Sequence, residues 1–162
     1  GREAKVEVTL KKVEPVERAQ RFLEKVTASM GLSVSISPVS AEESVTLNLH
    51  GEDLGILIGK HGQTLDALQY LTNLAANREG RERIRFIIDV EDYRKRRADT
   101  LKQLALRLAE RARRTGDRVA LEPMTPHERK IIHMILQNDE RFETYSEGEE
   151  PYRRVVIVSK RG

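Results

Sequence analysis

The fold of the first part of the chain is decided by residues 58–70, which read Ile58-Gly59-Lys60-His61-Gly62-Gln63-Thr64-Leu65-Asp66-Ala67-Leu68-Gln69-Tyr70. The two glycines stand three positions apart, where the missing Cβ atoms let the backbone approach a ligand closely. From Leu65 to Ala75 apolar residues recur at helical spacing, which predicts an amphipathic helix that begins at Gln63 or Thr64. The positive end of that helix and the charge of Lys60 both attract anions. The sequence therefore indicates either a loop that binds phosphodiester groups or an ordinary helix-helix turn that uses the glycines for its geometry.

The elements on either side of this loop follow a regular order. An amphipathic helix is predicted over residues 15–30, with Pro15 at its start and Gly31 at its end. A short apolar turn at residues 54–58 leads into the glycines. Alternating apolar and polar residues predict three strands, at 32–36, 45–49 and 84–90. The first part of the chain is therefore predicted to fold as α-β-β-α-α-β.

The second part of the chain begins with a long basic helix, predicted over residues 93–114. Thr125 and Pro126 are typical of the cap and first residue of a further helix, which is expected to run to about Asn138. Strands are predicted at 118–122, 142–146 and 153–159. We therefore expect an α/β (α+β) protein in which the long basic helix joins two small domains.

Length and charge fit two modules in a row. The net charge of +3 is unevenly divided: residues 1–91 hold 12 basic and 14 acidic side chains, or −2, and residues 92–162 hold 17 and 12, or +5. An anionic partner is therefore expected to meet the second part broadly. The predicted division is a linker remnant at 1–14, a first domain at 15–92 and a second domain, with the connecting helix, at 93–162.

The composition excludes several classes of protein. The chain has no cysteine, so it forms no disulfide, thiolate metal site or thiol nucleophile. No stretch approaches the roughly 18 apolar residues of a transmembrane helix. The charged first residues also lack the apolar segment of a secretory signal. We therefore expect a cytoplasmic protein with no membrane insertion, cofactor or metal.

The order of elements around the glycine loop resembles the type II KH domain, and residues 58–70 resemble the Jag family in particular. KH domains clamp the backbone of about four nucleotides of RNA with this loop, while bases lie along an adjacent apolar groove. The resemblance implies RNA contacts by Gly59, Lys60, His61, Gly62, Gln63 and Thr64. Ile56 and Ile58, with Val45 or Leu47, either line the groove or belong to the core. His61 stands where the family is expected to have arginine.

Arg129 and His133 are four residues apart and share one face of the helix that starts near Pro126. With Arg153 and Arg154 on a following strand they would form a small cationic surface. This pattern resembles the R-three-H domain, named for its Arg-x-x-x-His signature, and residues 124–133 and 146–157 again resemble Jag. The resemblance implies nucleic-acid binding by these four residues. In an alternative interpretation, Arg129 and His133 brace their own domain through hydrogen bonds.

The basic run Arg94-Lys95-Arg96-Arg97 lies between the two predicted RNA-binding modules. This position favours a track for phosphates, although charge runs on helices are usually solvated faces, and both interpretations stay open. Histidine titrates near neutral pH, and His61 and His133 both lie at proposed phosphate contacts. Tighter binding near about pH 6 than near about pH 8 is therefore also expected.

The resemblance to the Jag family covers approximately residues 15–160. Family members often carry a further small N-terminal domain, and residues 1–14 are interpreted as a remnant of the linker to it. The resemblance implies a bacterial protein that binds single-stranded RNA as an RNA chaperone or post-transcriptional regulator linked to cell elongation and envelope growth. It also implies a small single-KH protein as partner, or self-association.

Three other functions are alternatives to RNA binding. An enzyme would use His127, Glu128 and His133, but positions six apart on a helix are separated by about 600° and do not converge. The loop also lacks the Gly-Lys-Ser/Thr ending of a nucleotide-binding P-loop. We therefore expect no enzymatic activity. A protein-interaction or dimerisation scaffold stays open, as does single-stranded DNA as the ligand, because a fold alone does not determine function.

Overall fold

The computed structural model describes residues 2–78 and 83–160, with side chains from residue 14 onward. The ends of the predicted segments that fall on residues 1 and 161–162 lie outside this description. The helices are α1 (Arg2–Ser29), α2 (Gly55–Ile58), α3 (Gln63–Ala76), α4 (Tyr93–Thr115) and α5 (Pro126–Leu136), and a single 3-10 turn spans Lys60–Gly62. The strands are β1 (Val34–Ser40), β2 (Ser44–Gly51), β3 (Arg85–Val90), β4 (Val119–Ala120), β5 (Phe142–Glu147) and β6 (Arg154–Ser159). The chain divides into two compact units, residues 1–94 and 95–162.

The first unit has the predicted order α-β-β-α-α-β, which is confirmed. Its sheet has the order β1-β2-β3, with β1 antiparallel and β3 parallel to β2. The parallel pair requires a crossover connection, which α2 and α3 supply. Alternate residues of β2 and β3 point into a core that they share with α1 and α3. The largest fully buried side chains there are Leu23, Leu47, Leu49, Leu57, Leu65, Phe86 and Ile88.

Helix α1 begins earlier than the sequence predicted. Pro15 lies inside the helix, which extends back to Arg2, so the predicted start at Pro15 is wrong. Proline lacks the N–H of one helical hydrogen bond and is therefore typical of a helix start. Residues 2–14 contain no glycine or further proline that would stop a helix before that point.

The outer edge of β3 is closed by side-chain amides of α3. The Asn73 amide donates to the Phe86 carbonyl and accepts from the Phe86 N–H, both at 2.8 Å. Asn77 makes the same pair of bonds with Ile84, at 2.9 and 3.0 Å. One turn before Asn73, the side-chain oxygen of Gln69 accepts the Ile88 N–H at 3.0 Å. We call these three side chains the amide ladder.

The amide ladder works because two spacings coincide. Its members are four residues apart along α3, a rise of about 6 Å. The strand groups that they bind are two residues apart, about 6.6 Å. Each rung therefore meets the next pair of unpaired strand groups, and the edge strand gains hydrogen bonds without a neighbouring strand.

The second unit is also α+β, as predicted. Its antiparallel sheet has the order β4-β6-β5, and α4 and α5 contribute to the same core. The predicted cap of α5 is confirmed, because the Thr125 hydroxyl accepts the Glu128 N–H at 3.3 Å and Pro126 is the first helical residue. The core residues are Leu101, Ala105, Ala109, Ala112, Leu121, Met124, Ile132, Leu136, Phe142, Val155 and Ile157. None of the helices in the described part of the chain combines the length and apolarity of a membrane span.

We predict that Asn73→Ala destabilises the first unit by about 1–3 kcal/mol, because it leaves the Phe86 N–H and carbonyl without partners. The substitution raises helix propensity by about 0.5 kcal/mol, so any loss would occur despite that gain. Urea unfolding measures the difference. Gln20→Ala is the control, since Gln20 is a half-buried helical amide without a hydrogen bond from its side chain to a described residue. Equal stability of the two variants would contradict the role of the ladder.

Candidate nucleic-acid interface

The glycine loop is a tight turn between α2 and α3. Gly59 ends α2 with a φ of 71°, and its N–H donates to the carbonyl one turn back at 3.0 Å. His61 and Gly62 follow with φ values of 55° and 83°, in the left-handed region. Glycine adopts this conformation without steric cost, and His61 is held in it between the two glycines. The chain thus reverses within residues 59–62 and enters α3 at Gln63.

Both glycines are also required by internal packing. A Cβ atom at Gly59 would lie 2.2 Å from the Thr64 Oγ1, and one at Gly62 would lie 2.8 Å from Cε1 of Tyr93. Both distances are far shorter than a favourable nonbonded contact. The glycine spacing therefore serves the turn itself, and Tyr93 is a contact of the loop that nothing in the sequence pattern indicated.

The outer surface of the loop presents positive charge to solvent. Gly62 precedes α3, and no side chain caps the N–H groups of its first turn. Lys60 and Gln63 are exposed, while His61 and Thr64 are half-buried. Lys60 forms no hydrogen bond or ion pair with the residues that the structure describes. The helix end and the lysine are therefore both available to an anion.

Arg94 supports the loop from behind and does not extend its charged surface. Its guanidinium donates to Asp66 and to Gln69, both at 2.9 Å, and to the Ile88 carbonyl at 2.9 Å. Asp66 lies in the first turn of α3, where its charge would oppose a bound phosphate. The ion pair with Arg94 offsets that charge and adds a further link between α3 and β3.

The other members of the predicted phosphate track differ in their surroundings. Arg97 donates to Glu128 at 2.8 Å, and their side chains are only 18% and 9% exposed, so this pair belongs to the interior of the second unit. Lys95 and Arg96 are exposed. The structure therefore assigns two of the four residues in the run, Arg94 and Arg97, to internal ion pairs.

Arg129 of the Arg-x-x-x-His signature is buried, with 8% of its surface exposed. One terminal nitrogen donates to the Met124 carbonyl at 2.7 Å, and the other donates to the Glu150 carboxylate. Removing the carboxylate partner of a buried guanidinium strongly destabilises the folded protein, because the charge is left without compensation. These contacts favour the interpretation in which Arg129 braces its own domain.

His133 is held in the same way. Its Nδ1 lies 2.7 Å from the Thr144 hydroxyl and its Nε2 lies 3.0 Å from the Ser146 hydroxyl. A neutral imidazole donates from one nitrogen and accepts at the other, and hydroxyl groups satisfy both roles. Burial lowers the pKa of His133, and the charge of Arg129 lowers it further. The ring therefore favours its neutral form and links α5 to β5.

The two arginines predicted on the last strand have different roles. Arg153, just before β6, donates to the carbonyls of Gly148 and Ser146 at 2.7 and 3.4 Å, which holds the β5–β6 loop. Arg154 is exposed and pairs with Glu147 at 3.0 Å. The structure therefore gives each predicted cation of this surface an internal partner.

The apolar residues predicted near the glycine loop differ in how deeply they are buried. Val45 and Leu47 are 1% and 0% exposed, so of the two interpretations the structure supports the one in which they belong to the core. Ile58 is half-buried against that core, whereas Ile56 is 58% exposed beside the loop. The difference arises because the inward side chains of β2 are covered by α1, α3 and β3 and do not reach solvent.

The residues considered for an enzyme do not converge. His127 is exposed, Glu128 is paired with Arg97, and His133 is bound by hydroxyl groups. Within residues 2–78 and 83–160, no group of three or more histidine, aspartate or glutamate side chains could hold a metal ion.

Two known families match this chain, one in each of its two compact units. The family described as the KhpA/KhpB KH domain matches residues 17–88, and the R-three-H domain family matches residues 99–159. The chain is 49% identical over 147 residues to RNA-binding protein KhpB of Clostridium symbiosum, covering 90% of this chain and 66% of that protein. It is 36% identical over 163 residues to RNA-binding protein KhpB of Bacillus subtilis, covering 99% and 78%.

A third relative is longer. RNA-binding protein KhpB of Lactiplantibacillus plantarum is 39% identical over 140 residues, which cover 86% of this chain and 44% of that protein. The chain therefore spans between 44% and 78% of the length of these three relatives.

We predict that the second unit loses stability as pH falls below about 6.5, the ordinary histidine pKa, because of the titration of His133. Its pKa is lowered in the folded state, so the unfolded state binds the proton more readily. The stabilisation is complete above the unfolded pKa and is lost as pH falls toward the folded one. Urea unfolding between about pH 7.5 and pH 5.5 measures this loss, because carboxylates titrate mainly below that range.

The control for this experiment is His133→Gln, whose amide also donates and accepts hydrogen bonds but does not titrate. The wild-type protein should lose more unfolding free energy across the range than the variant does. Parallel curves for the two proteins would contradict the prediction. The lowered pKa also weakens the expectation that His133 tightens RNA binding near about pH 6.

Proposed function

The chain belongs to the KhpB family, which is the Jag family predicted from its sequence, and from this premise we propose that it binds single-stranded RNA through the glycine loop. The observation that carries the proposal is the exposed Lys60 beside the uncapped start of α3. Relatives of this chain bear the name RNA-binding protein. The ligand of the loop is then the sugar-phosphate backbone.

The loop binds a phosphate through two contributions that act in the same direction. The Gln63 N–H donates to the Lys60 carbonyl, but no side chain caps the first turn of α3, and the helix dipole adds positive potential there. Lys60 adds a full charge that no described carboxylate neutralises. Ile56 is exposed beside the turn and offers an apolar contact to a sugar or base. The turn is already formed in the free protein, so little ordering is needed on binding.

The second unit supplies a further contact with the same strand. Two weak sites on one chain act together, because binding at the first raises the effective concentration of the strand at the second. In this arrangement Arg129 and His133 hold the β5–β6 loop and strand β5 in place, and Arg153 and Arg154 lie at the same end of the sheet. These four residues contribute to binding by supporting the surface of the second unit around β5 and the β5–β6 loop.

Contacts with the backbone do not select a sequence, which suits a non-enzymatic RNA chaperone or post-transcriptional regulator. The proposed RNA partner places the protein in the cytoplasm. A link to cell elongation and envelope growth is part of the same proposal. Single-stranded DNA also carries phosphates, and competition between matched RNA and DNA oligonucleotides distinguishes the two ligands.

We expect the double substitution Lys60→Asp and His61→Asp to weaken binding of a single-stranded oligoribonucleotide by at least about tenfold, because two negative charges would face the phosphate. Aspartate tolerates the left-handed conformation at position 61, so the turn is kept. Fluorescence anisotropy at low salt measures the affinity, and circular dichroism verifies the fold.

A matched control makes the same change of net charge elsewhere in the first unit. Lys25→Asp with Ala28→Asp alters two exposed positions of α1 and should bind RNA nearly as the wild type does. If the folded loop variant bound as tightly as this control, the loop would have no part in binding. If neither the wild type nor any variant bound RNA at low salt, the proposed function would be rejected.

A second candidate function is association with another protein, and one surface of α3 favours it. Ala67, Tyr70, Leu71 and Leu74 recur at helical spacing and are all exposed. Tyr70, Leu71 and Leu74 are 66%, 47% and 54% exposed, which is unusual for a contiguous apolar row on a small unit. A second copy of this chain or a small single-KH protein would cover this row, as the resemblance implied. RNA binding and association through α3 are compatible.

We expect the wild-type protein to increase in average mass with concentration in sedimentation experiments, and Leu71→Gln with Leu74→Gln to remain monomeric. The reason is that burial of the exposed halves of these two leucines supplies about 1.5–3 kcal/mol per copy to an interface. The control is Leu106→Gln with Met134→Gln, which alters two exposed apolar side chains of the second unit. A wild-type protein that stays monomeric, alone and with a small single-KH protein, would exclude this role of α3.

A further inference from the structure

We infer that the solvent face of α4 is an additional phosphate-binding surface, formed by Arg107, Arg111 and Arg114. All three side chains are exposed. They stand at positions i, i+4 and i+7, which places them within about 60° of one another around the helix and about 10 Å along it. We call them the α4 arginine row. It is separate from the glycine loop and from the Arg-x-x-x-His signature.

The row lies away from the side of α4 that packs in the core. Leu101, Ala105, Ala109 and Ala112 are 0–2% exposed and hold the opposite side of the helix in the second unit. Because that side is fixed, the helix cannot rotate, and the arginines stay in solvent. The row is therefore a rigid feature of the surface, with flexibility only in the side chains.

The arginines of the row differ from most other arginines of the second unit because no described carboxylate forms an ion pair with them. The guanidinium groups of the row form no hydrogen bond or ion pair with the described residues. By contrast, carboxylates pair with Arg97, Arg113, Arg118, Arg129, Arg141 and Arg154. Five acidic residues of the unit are thus engaged by other arginines, and the row leaves three positive charges without an ion pair on one face of α4.

The carboxylate of Glu110, which lies within the sequence span of the row, already has a partner. Glu110 lies between Arg107 and Arg111 in sequence, but it accepts hydrogen bonds from Arg113 at 2.6 and 3.0 Å. Arg113 is the main cause of the lowered pKa of Glu110, and Arg114 contributes less. The positive potential of the row is therefore preserved.

Three like charges on one helix face repel each other and do not stabilise the helix. Their arrangement instead suits an extended anion. The row is longer than a single phosphate, it lies on a convex helix without a pocket, and guanidinium groups bind phosphate oxygens in pairs. A phosphodiester backbone meets these requirements, and its identification as RNA rests on the proposed function. An acidic protein surface is the competing partner.

The test uses the full chain with Arg107→Gln, Arg111→Gln and Arg114→Gln. Glutamine keeps helix propensity and removes three charges. Affinity for a single-stranded homopolymeric oligoribonucleotide is measured over a series of salt concentrations. If the row makes three phosphate contacts, the slope of log affinity against log salt should decrease in magnitude by about 2, since each contact in a single strand contributes about 0.7.

The matched control is Arg21→Gln with Arg118→Gln and Arg141→Gln, which removes three exposed arginines that already have acidic partners. Its slope should stay within about 0.7 of the wild-type value, the share of one contact. An equal decrease in both triple variants would mean that net charge alone is responsible, and the inference would be overturned.

The variant Lys60→Asp with His61→Asp separates this inference from the proposed function. Loss of binding in that variant, with a wild-type slope in the row variant, would overturn the α4 surface and leave the RNA-binding loop intact. Absence of RNA binding by the wild type would reject both. A wild-type slope together with row-dependent retention on a polyglutamate resin would assign the row to an acidic protein and overturn the inference.

Discussion

The edge of β3 is the constraint on which the geometry of the first unit depends. An edge strand leaves backbone groups unpaired, and here α3 pairs them with the amides of Gln69, Asn73 and Asn77. This ladder sets both the rotation of α3 and its position along the strand. Because the glycine loop is the entry to α3, the same bonds determine where the positive end of the helix lies.

The start of α4 completes this support. Arg94 ties Asp66 of α3 to the backbone of β3, and the Tyr93 ring lies so close to Gly62 that no side chain fits there. A loop fixed from two sides loses little conformational freedom when it binds. The rigid scaffold and the exposed Lys60 therefore have separate roles: the first fixes the backbone, and the second attracts the ligand.

Much of the fold was predictable because periodicity reports which side of an element is buried. The six-element order, the cap at Thr125 and the three strands of the second unit follow from local patterns. The start of α1 was not predictable, since proline is disfavoured inside a helix and is typical of its first turn, whereas Pro15 lies inside α1. Local patterns also do not show how deeply a strand is covered. Val45 and Leu47 are inaccessible because β3 and the helices enclose β2.

The candidate site was less predictable, because spacing identifies neighbours on one helix but not partners distant in sequence. Arg129 meets Glu150 across 21 positions, and His133 meets hydroxyls 11 and 13 positions away. Every cation looks equally available in a sequence, yet a buried and paired guanidinium binds an external phosphate only by giving up its partner. An exposed cation without a carboxylate exchanges only water and counterions for the ligand. The pairing of charge, which only the structure reveals, therefore determines which basic residues can bind RNA directly.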